Sequence, residues 1–274
     1  MGLKLAIVVA ALLAAGPLSP GASFLQARQL DDGSFAEQGR MGYPQLTAWA
    51  TLGLRASGAV PRSKAATANY LAAHEADLGS ATDLALVALA ERALGQSPDR
   101  LLARLRTLQR PNRSVGGLVN GTAWSVIAFK AAGRAVPGGA TRWLLARQTR
   151  AGGWGWTAGV TDSNDTAAVI EALRSVGVRG RPIRRALSFL LRYRNRDGGF
   201  ELTPGRGSDA QSTAWAIQAF LAAGKTPPRG AFAYLKRLQR SDGSFRYSAR
   251  YATTPVWVTA QVLPALARKP FPLR

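Results

Sequence analysis

The sequence predicts an all-α fold: six helical hairpins closed into an α/α toroid with two concentric helix layers. Three observations predict it. Small pairs recur at Thr47-Ala48, Leu84-Ala85, Thr122-Ala123, Thr166-Ala167, Thr213-Ala214 and Thr259-Ala260, in steps of 37, 38, 44, 47 and 46 residues. A second motif, an aromatic-Leu helix ending, runs in phase with them. The composition is 47% hydrophobic with 29 Gly and only short β-branched runs, which favours packed helices over sheet. A helical hairpin cannot bury its apolar face alone, so the six units must stack on their neighbours.

In chain order, residues 1–23 read as an export signal. Lys4 gives a basic start, and Leu5–Ala15 is an apolar run of eleven residues, too short to span a bilayer comfortably. The small, helix-breaking stretch from Gly16 to Ser23 offers cleavage after Gly16, Ala22 or Ser23. The competing reading is an apolar first helix of the fold. Export implies a secreted or extracytoplasmic protein, tethered to the membrane if the segment is retained.

Residues 24–266 read as one repeat domain, because no Pro/Ser-rich linker divides them. Each small pair opens an apolar helical stretch, and the first five stretches end near Gly58, Gly95, Gly133, Gly177 and Gly224. Glycine suits a helix C-terminus because it adopts the left-handed conformation without a Cβ clash. The helix ahead of each pair has its own ending. Four share one spacing: Phe24-Leu25…Gln29…Gly33-Ser34-Phe35, Trp143-Leu144…Gln148…Gly152-Gly153-Trp154, Phe189-Leu190…Arg194…Gly198-Gly199-Phe200 and Tyr234-Leu235…Gln239…Gly243-Ser244-Phe245. The first aromatic and the Leu are expected to face inward, the Gln to bond loose terminal carbonyls, and the second aromatic to fold back as a plug. Repeat two is degenerate, and repeat three keeps Leu105, Gln109 and Gly116-Gly117 without the aromatics. Residues 267–274 form a short C-terminal tail with no anchor motif.

Composition excludes several chemistries. The chain has no cysteine, hence no disulfide, thiolate zinc site or thiol nucleophile. The single histidine, His74, cannot form a cluster and reads as an exposed helix residue. No metal site and no cofactor are implied. The net charge is +21, with seven Lys/Arg against eight Asp/Glu in residues 1–99 and twenty-nine against seven in residues 100–274. An anionic membrane or cell-wall surface fits that asymmetry as a partner. A compositional bias fits it equally, because thirty of the thirty-six bases are Arg. Nucleic acid ranks lower, because no known binding motif interrupts the repeats.

The four matching endings resemble the QW motif of terpene cyclases, and over residues 24–266 the chain is similar to the prenyltransferase and squalene-cyclase repeat family. The resemblance implies a toroid whose inner helices begin at the Thr-Ala pairs and line one end of a central cavity, where the family binds its ligands. Squalene–hopene-type cyclases carry Asp-x-Asp-Asp-Thr-Ala at one such start, and its middle aspartate protonates an alkene. The matching stretch here is Asp162-Ser163-Asn164-Asp165-Thr166-Ala167. Asp162 and Asp165 are the catalytic candidates the resemblance implies, but Asn164 holds the donor position and an amide has no ionisable proton to deliver. The competing role for both acids is helix capping, which the equivalent Asp209 of the next repeat shares. Zinc-dependent prenyltransferases of the family need a cysteine, which is absent.

The ligand-binding candidates are Trp49, Trp124, Trp215 and Trp257, with Asn164 and Asp209. Three of the tryptophans directly follow a Thr-Ala pair, and Trp257 lies two residues before the last one. Tyr43 and Trp156 lie in neighbouring loops. Aromatics around a cavity suit an elongated, isoprenoid-like ligand, and packing between helices is their alternative role. Paired carboxylates of glycosidase type, Asp162 or Asp165 with Glu37, Glu171 or Glu201, remain a minor option. The expected function is therefore an exported toroid that binds a hydrophobic or isoprenoid-like ligand, or a partner, without class II cyclase chemistry. One alternative is a cyclase-like enzyme with Asp162 or Asp165 as acid. The other is an interaction module that docks an anionic surface through its basic C-terminal half.

Overall fold

A computed structural model describes residues 19–156 and 160–273, so most of the expected export segment lies outside the described residues. Among the described residues twelve α-helices alternate between two layers. The outer helices are α1 (Pro20–Ala27), α3 (Lys64–Ala73), α5 (Asp99–Thr107), α7 (Ala140–Ala146), α9 (Arg181–Leu191) and α11 (Ala231–Arg237). The inner ones are α2 (Pro44–Ala56), α4 (Ala81–Ala93), α6 (Val119–Ala131), α8 (Ser163–Ser175), α10 (Ala210–Ala222) and α12 (Pro255–Leu266). The fold is the expected α/α toroid.

The ring closes. Each inner helix packs on the next, and α12 packs on α2. At this seam the backbones approach so closely that a Cβ on Gly53 would sit 2.7 Å from the Ala260 carbonyl oxygen. Glu37 bolts the same seam: its two carboxylate oxygens accept the backbone N–H groups of Val256 and Trp257, each at 3.0 Å. A carboxylate at the N-terminus of α12 satisfies orphan donors and complements the helix dipole.

The aromatic-Leu endings tie each outer helix to its neighbour. The turn glycines Gly33, Gly152, Gly198 and Gly243 have positive φ and abut the starts of α3, α9, α11 and α1 in turn, the last joint closing the outer layer. The Gln is expected from sequence to bond the last carbonyls of its helix; instead Gln29, Gln148 and Gln239 bond their own turns, and Gln29 and Gln148 also bridge to the next outer helix. Gln29 donates to the Thr67 hydroxyl at 2.7 Å and accepts from the Ser63 N–H, and Gln148 donates to the Gly152 and Pro182 carbonyls. The plugs Phe35, Trp154, Phe200 and Phe245 are fully buried.

Three boundaries differ from the sequence reading. The inner helices start one turn before the small pairs, because Pro44, Ser163 and their equivalents already satisfy helical geometry. Helix α1 opens at Pro20 with Ser19 as its cap and with Gly21 and Ala22 buried, so the described residues 19–23 of the 1–23 segment pack with the toroid. His74 is the C-cap of α3, not a residue within the helix, and contacts Asp77 at 2.9 Å. Among the described residues no helix is long and apolar enough to cross a membrane, and no His/Cys/Asp/Glu group could hold a metal ion.

Candidate functional site

The threonines of the small pairs set the register of the lumen. Thr47, Thr122, Thr166, Thr213 and Thr259 are fully buried, and each hydroxyl accepts the backbone N–H of the adjoining plug residue at 2.8–3.0 Å. These threonines therefore point outward, against the plugs. Residues two before and two after them fall on the opposite face, one turn apart, because side chains four apart share a helix face.

That spacing builds two rings of side chains around the axis. Two residues before each pair stand Gln45, Thr82, Asn120, Asn164, Gln211 and Trp257, which form the rim. Two residues after stand Trp49, Leu86, Trp124, Ala168, Trp215 and Gln261, which form the floor. These twelve and Asp83 enclose a cavity of about 260 Å³ at the inner-helix starts. Trp49, Trp124 and Trp215 meet edge to face on the axis, with centroids 5.3–5.7 Å apart. The Trp215 indole donates to Gln261 at 2.9 Å. Thus the four tryptophans do not share one level: Trp257 stands in the rim and stacks on Tyr43. Trp156 is 60% exposed and belongs to a separate surface groove with Trp143 and Val160.

Six helix N-termini converge on the rim, and their dipoles favour an electron-rich group there, above an apolar aromatic floor. The rim is polar without strong charge. The Thr82 hydroxyl donates to Asn120, whose amide in turn donates to Asp165 at 2.7 Å. Asp83, which the sequence reading passed over, is the carboxylate that lines the cavity, held in a capping box with Ser80. Its signal was its place: it stands in repeat two where Asp165 stands in repeat four.

Asn164 lines the cavity, whereas Asp162 and Asp165 do not. Asp162 caps α8, its carboxylate accepting the Asp165 N–H at 2.7 Å. Burial, reinforced by the Asp165 carboxyl, pushes Asp162 up, and burial raises Asp165 as well. Both carboxyls are spent on protein partners, Asp162 on the Asp165 N–H and Asp165 on the Asn120 amide. Asp209 caps α10 through the Ser212 N–H and hydroxyl, at 2.7 and 2.8 Å. It lies outside the central cavity, beside a cleft of about 560 Å³ with Arg206, Tyr234 and Tyr247. The three glutamates are also engaged elsewhere: Glu37 at the seam, Glu201 on the Gly207 N–H, and Glu171 on the tail.

The tail is the main feature the sequence did not reveal. Beyond α12 the chain turns back into the opposite end of the ring. Phe271 is 2% exposed, and its ring lies 5.4–6.5 Å from Trp49, Trp124 and Trp215. Its N–H donates to the fully buried Glu171 at 2.7 Å, and Leu273 lies beside Leu52 and Leu89. The lumen is thus a bowl open at the inner-helix starts and sealed from below by the chain's own end.

Fold and site together define a closed α/α toroid with an aromatic-floored bowl. Solved structures share the fold. A protein from Actinoplanes matches at TM-score 0.69 with 19% identity, over 91% of this chain and 97% of that one. The type II terpene cyclase MstE from Scytonema matches at TM-score 0.68 with 16% identity, over 90% and 96%. The Candida albicans protein geranylgeranyltransferase-I matches at TM-score 0.62 with 11% identity, over 81% and 82%. No family model and no curated protein sequence matches the chain.

Proposed function

We propose that the chain is an exported toroid that binds the end of a hydrophobic, isoprenoid-like ligand in its central bowl and leaves it chemically unchanged. The observation that carries the reading is the order of the two rings: electron-rich amides and hydroxyls at the mouth, tryptophan faces beneath. This order suits an amphipathic molecule whose polar end stays at the rim while its apolar chain end contacts the indoles. The volume of about 260 Å³ is smaller than the roughly 300–1,000 Å³ of sites that enclose a drug-sized ligand, so only part of a long chain enters. A variant of MstE has been solved with geranylgeranyl dihydroxybenzoate, its substrate, which supports an isoprenoid as the ligand class. Asn164 in the rim, with Asp162 turned to capping and Asp165 to the Asn120 amide, speaks against proton-initiated cyclisation.

Titration of the full chain with farnesol, read by tryptophan emission, tests the proposal. The expected result is a saturable blue shift, weakened roughly tenfold in Trp257→Ala, since losing one aromatic contact removes about 1 kcal/mol or more. An emission spectrum unmoved up to the solubility limit of farnesol overturns it.

A further inference from the structure

The sealed end of the ring carries a feature that the bowl does not explain. Five inner helices end on a glycine with positive φ, at Gly58, Gly95, Gly133, Gly177 and Gly224. The sixth, α12, places Arg268 at the same post-cap position with φ +56°. A side chain there is strained, and arginine has no short polar group to relieve the strain locally. All six helices nevertheless end with the same backbone bond, the Lys269 N–H to the Pro264 carbonyl in α12 matching the Ala59 N–H to Leu54 in α2. The backbone of Arg268 is thus held in a disfavoured conformation, and strained residues collect at functional sites.

That place is the wall of a cavity of about 470 Å³, which Arg268 shares with Lys269, Arg174 and Arg179. Arg268 lies with its guanidinium 4.5 Å from the centre of the Phe232 ring. None of the four cations forms a salt bridge among the described residues. The one acid in the wall, Glu171, is fully buried, and burial raises its pKa well above the ordinary glutamate value, so it offers little countercharge. Burial and the neighbouring Arg179 also make the charge of Arg174 harder to hold. Ser175 adds a hydroxyl to the same wall. Arg174 donates to the Ala222 and Val178 carbonyls. Beside it Arg179, Arg268 and Lys269 are exposed and without a counterion, Arg268 in a conformation that disfavours its side chain, and together they form a receptor for a multiply charged oxyanion.

We infer that this cavity is a second ligand site, which takes a phosphate-bearing anion, either a free phosphate compound or the headgroup of an anionic lipid. The test uses the full chain, inorganic pyrophosphate by calorimetry, and sedimentation with phosphatidylglycerol vesicles against phosphatidylcholine vesicles. Arg268→Gly restores the glycine of the other five helices, so it is expected to fold with an unchanged or higher Tm while binding roughly tenfold more weakly. Arg179→Gln with Lys269→Gln is expected to weaken binding at least as much. The control pair Arg142→Gln with Arg184→Gln removes equal charge from exposed positions on outer helices. Pyrophosphate binding lost in the first two variants and kept in the control supports the site with a free phosphate as its source. Silence toward pyrophosphate, with phosphatidylglycerol binding lost in the same pattern, supports the site with a lipid headgroup as its source. Equal loss in the control pair, or no binding of either probe, overturns the inference.

Discussion

Replacing Phe271 by alanine removes the seal beneath the tryptophan floor. The ring is 2% exposed and touches indoles from α2, α6 and α10, so its loss uncovers all three at once. Truncating a buried phenylalanine costs about 3–5 kcal/mol where the void persists. Here the tail is free to lift away, which places the expected loss at the lower end, about 3 kcal/mol. For a domain of this size each kcal/mol moves Tm by roughly 2–4 °C, giving a fall of about 6–12 °C. Thermal unfolding by far-UV circular dichroism reads the loss. Tryptophan emission should shift to the red as water reaches the floor, and trypsin should cut faster at Arg268. A Tm within about 2 °C of the parent, the range of a surface substitution, with unchanged emission, would refute the docked tail.

Glu171 gives a prediction about pH. Its pKa is raised in the fold, so the native state retains a proton that the unfolded chain releases near 4.5. The stability tied to that proton is complete below pH 4.5 and declines as pH climbs toward the folded value. Glu171→Gln should therefore flatten the fall of the urea midpoint between pH 5 and 8; an unaltered slope would contradict the assignment. Glu91, lifted to about 7 chiefly by burial, contributes a decline of the same sign and should persist in that variant. Glu37→Ala strands two N–H groups of α12 at the closing seam and should lower stability by about 1–3 kcal/mol, with no loss counting against the bolt. A chain beginning at Pro17 keeps the Ser19 cap and should be as stable as the longest form. One beginning at Phe24 loses the cap and the buried Ala22, and should be less stable by at least about 1 kcal/mol in equilibrium unfolding.

The hairpins were legible because their signals are local. Thr-Ala spacing, post-cap glycines and the aromatic-Leu endings each act within a few residues, and the structure finds every one of those glycines at positive φ. The two rings of the bowl were also encoded, since Trp257 precedes its threonine by two residues where Trp49, Trp124 and Trp215 follow theirs by two. Four residues make one turn, so the tryptophans had to stand at two levels. What local pattern could not convey is how distant segments meet. Glu37 reaches α12 only because the ring closes, and Phe271 finds its partners across the whole length of the chain. Asp162 and Asp165 look catalytic in a linear motif, and Asp209 looks like a ligand contact, but their direction depends on local geometry: Asp162 and Asp209 accept backbone N–H groups at helix caps, and Asp165 accepts the Asn120 amide.

The central claim, an aromatic-floored bowl that binds an isoprenoid-like chain without transforming it, meets its most direct test in one measurement. The full chain is incubated with farnesol, separated from free ligand, and extracted for gas chromatography against its protein content. The expected result is one equivalent of unchanged linear farnesol per chain. Recovery of a cyclised product, or of no ligand at all, would contradict the account.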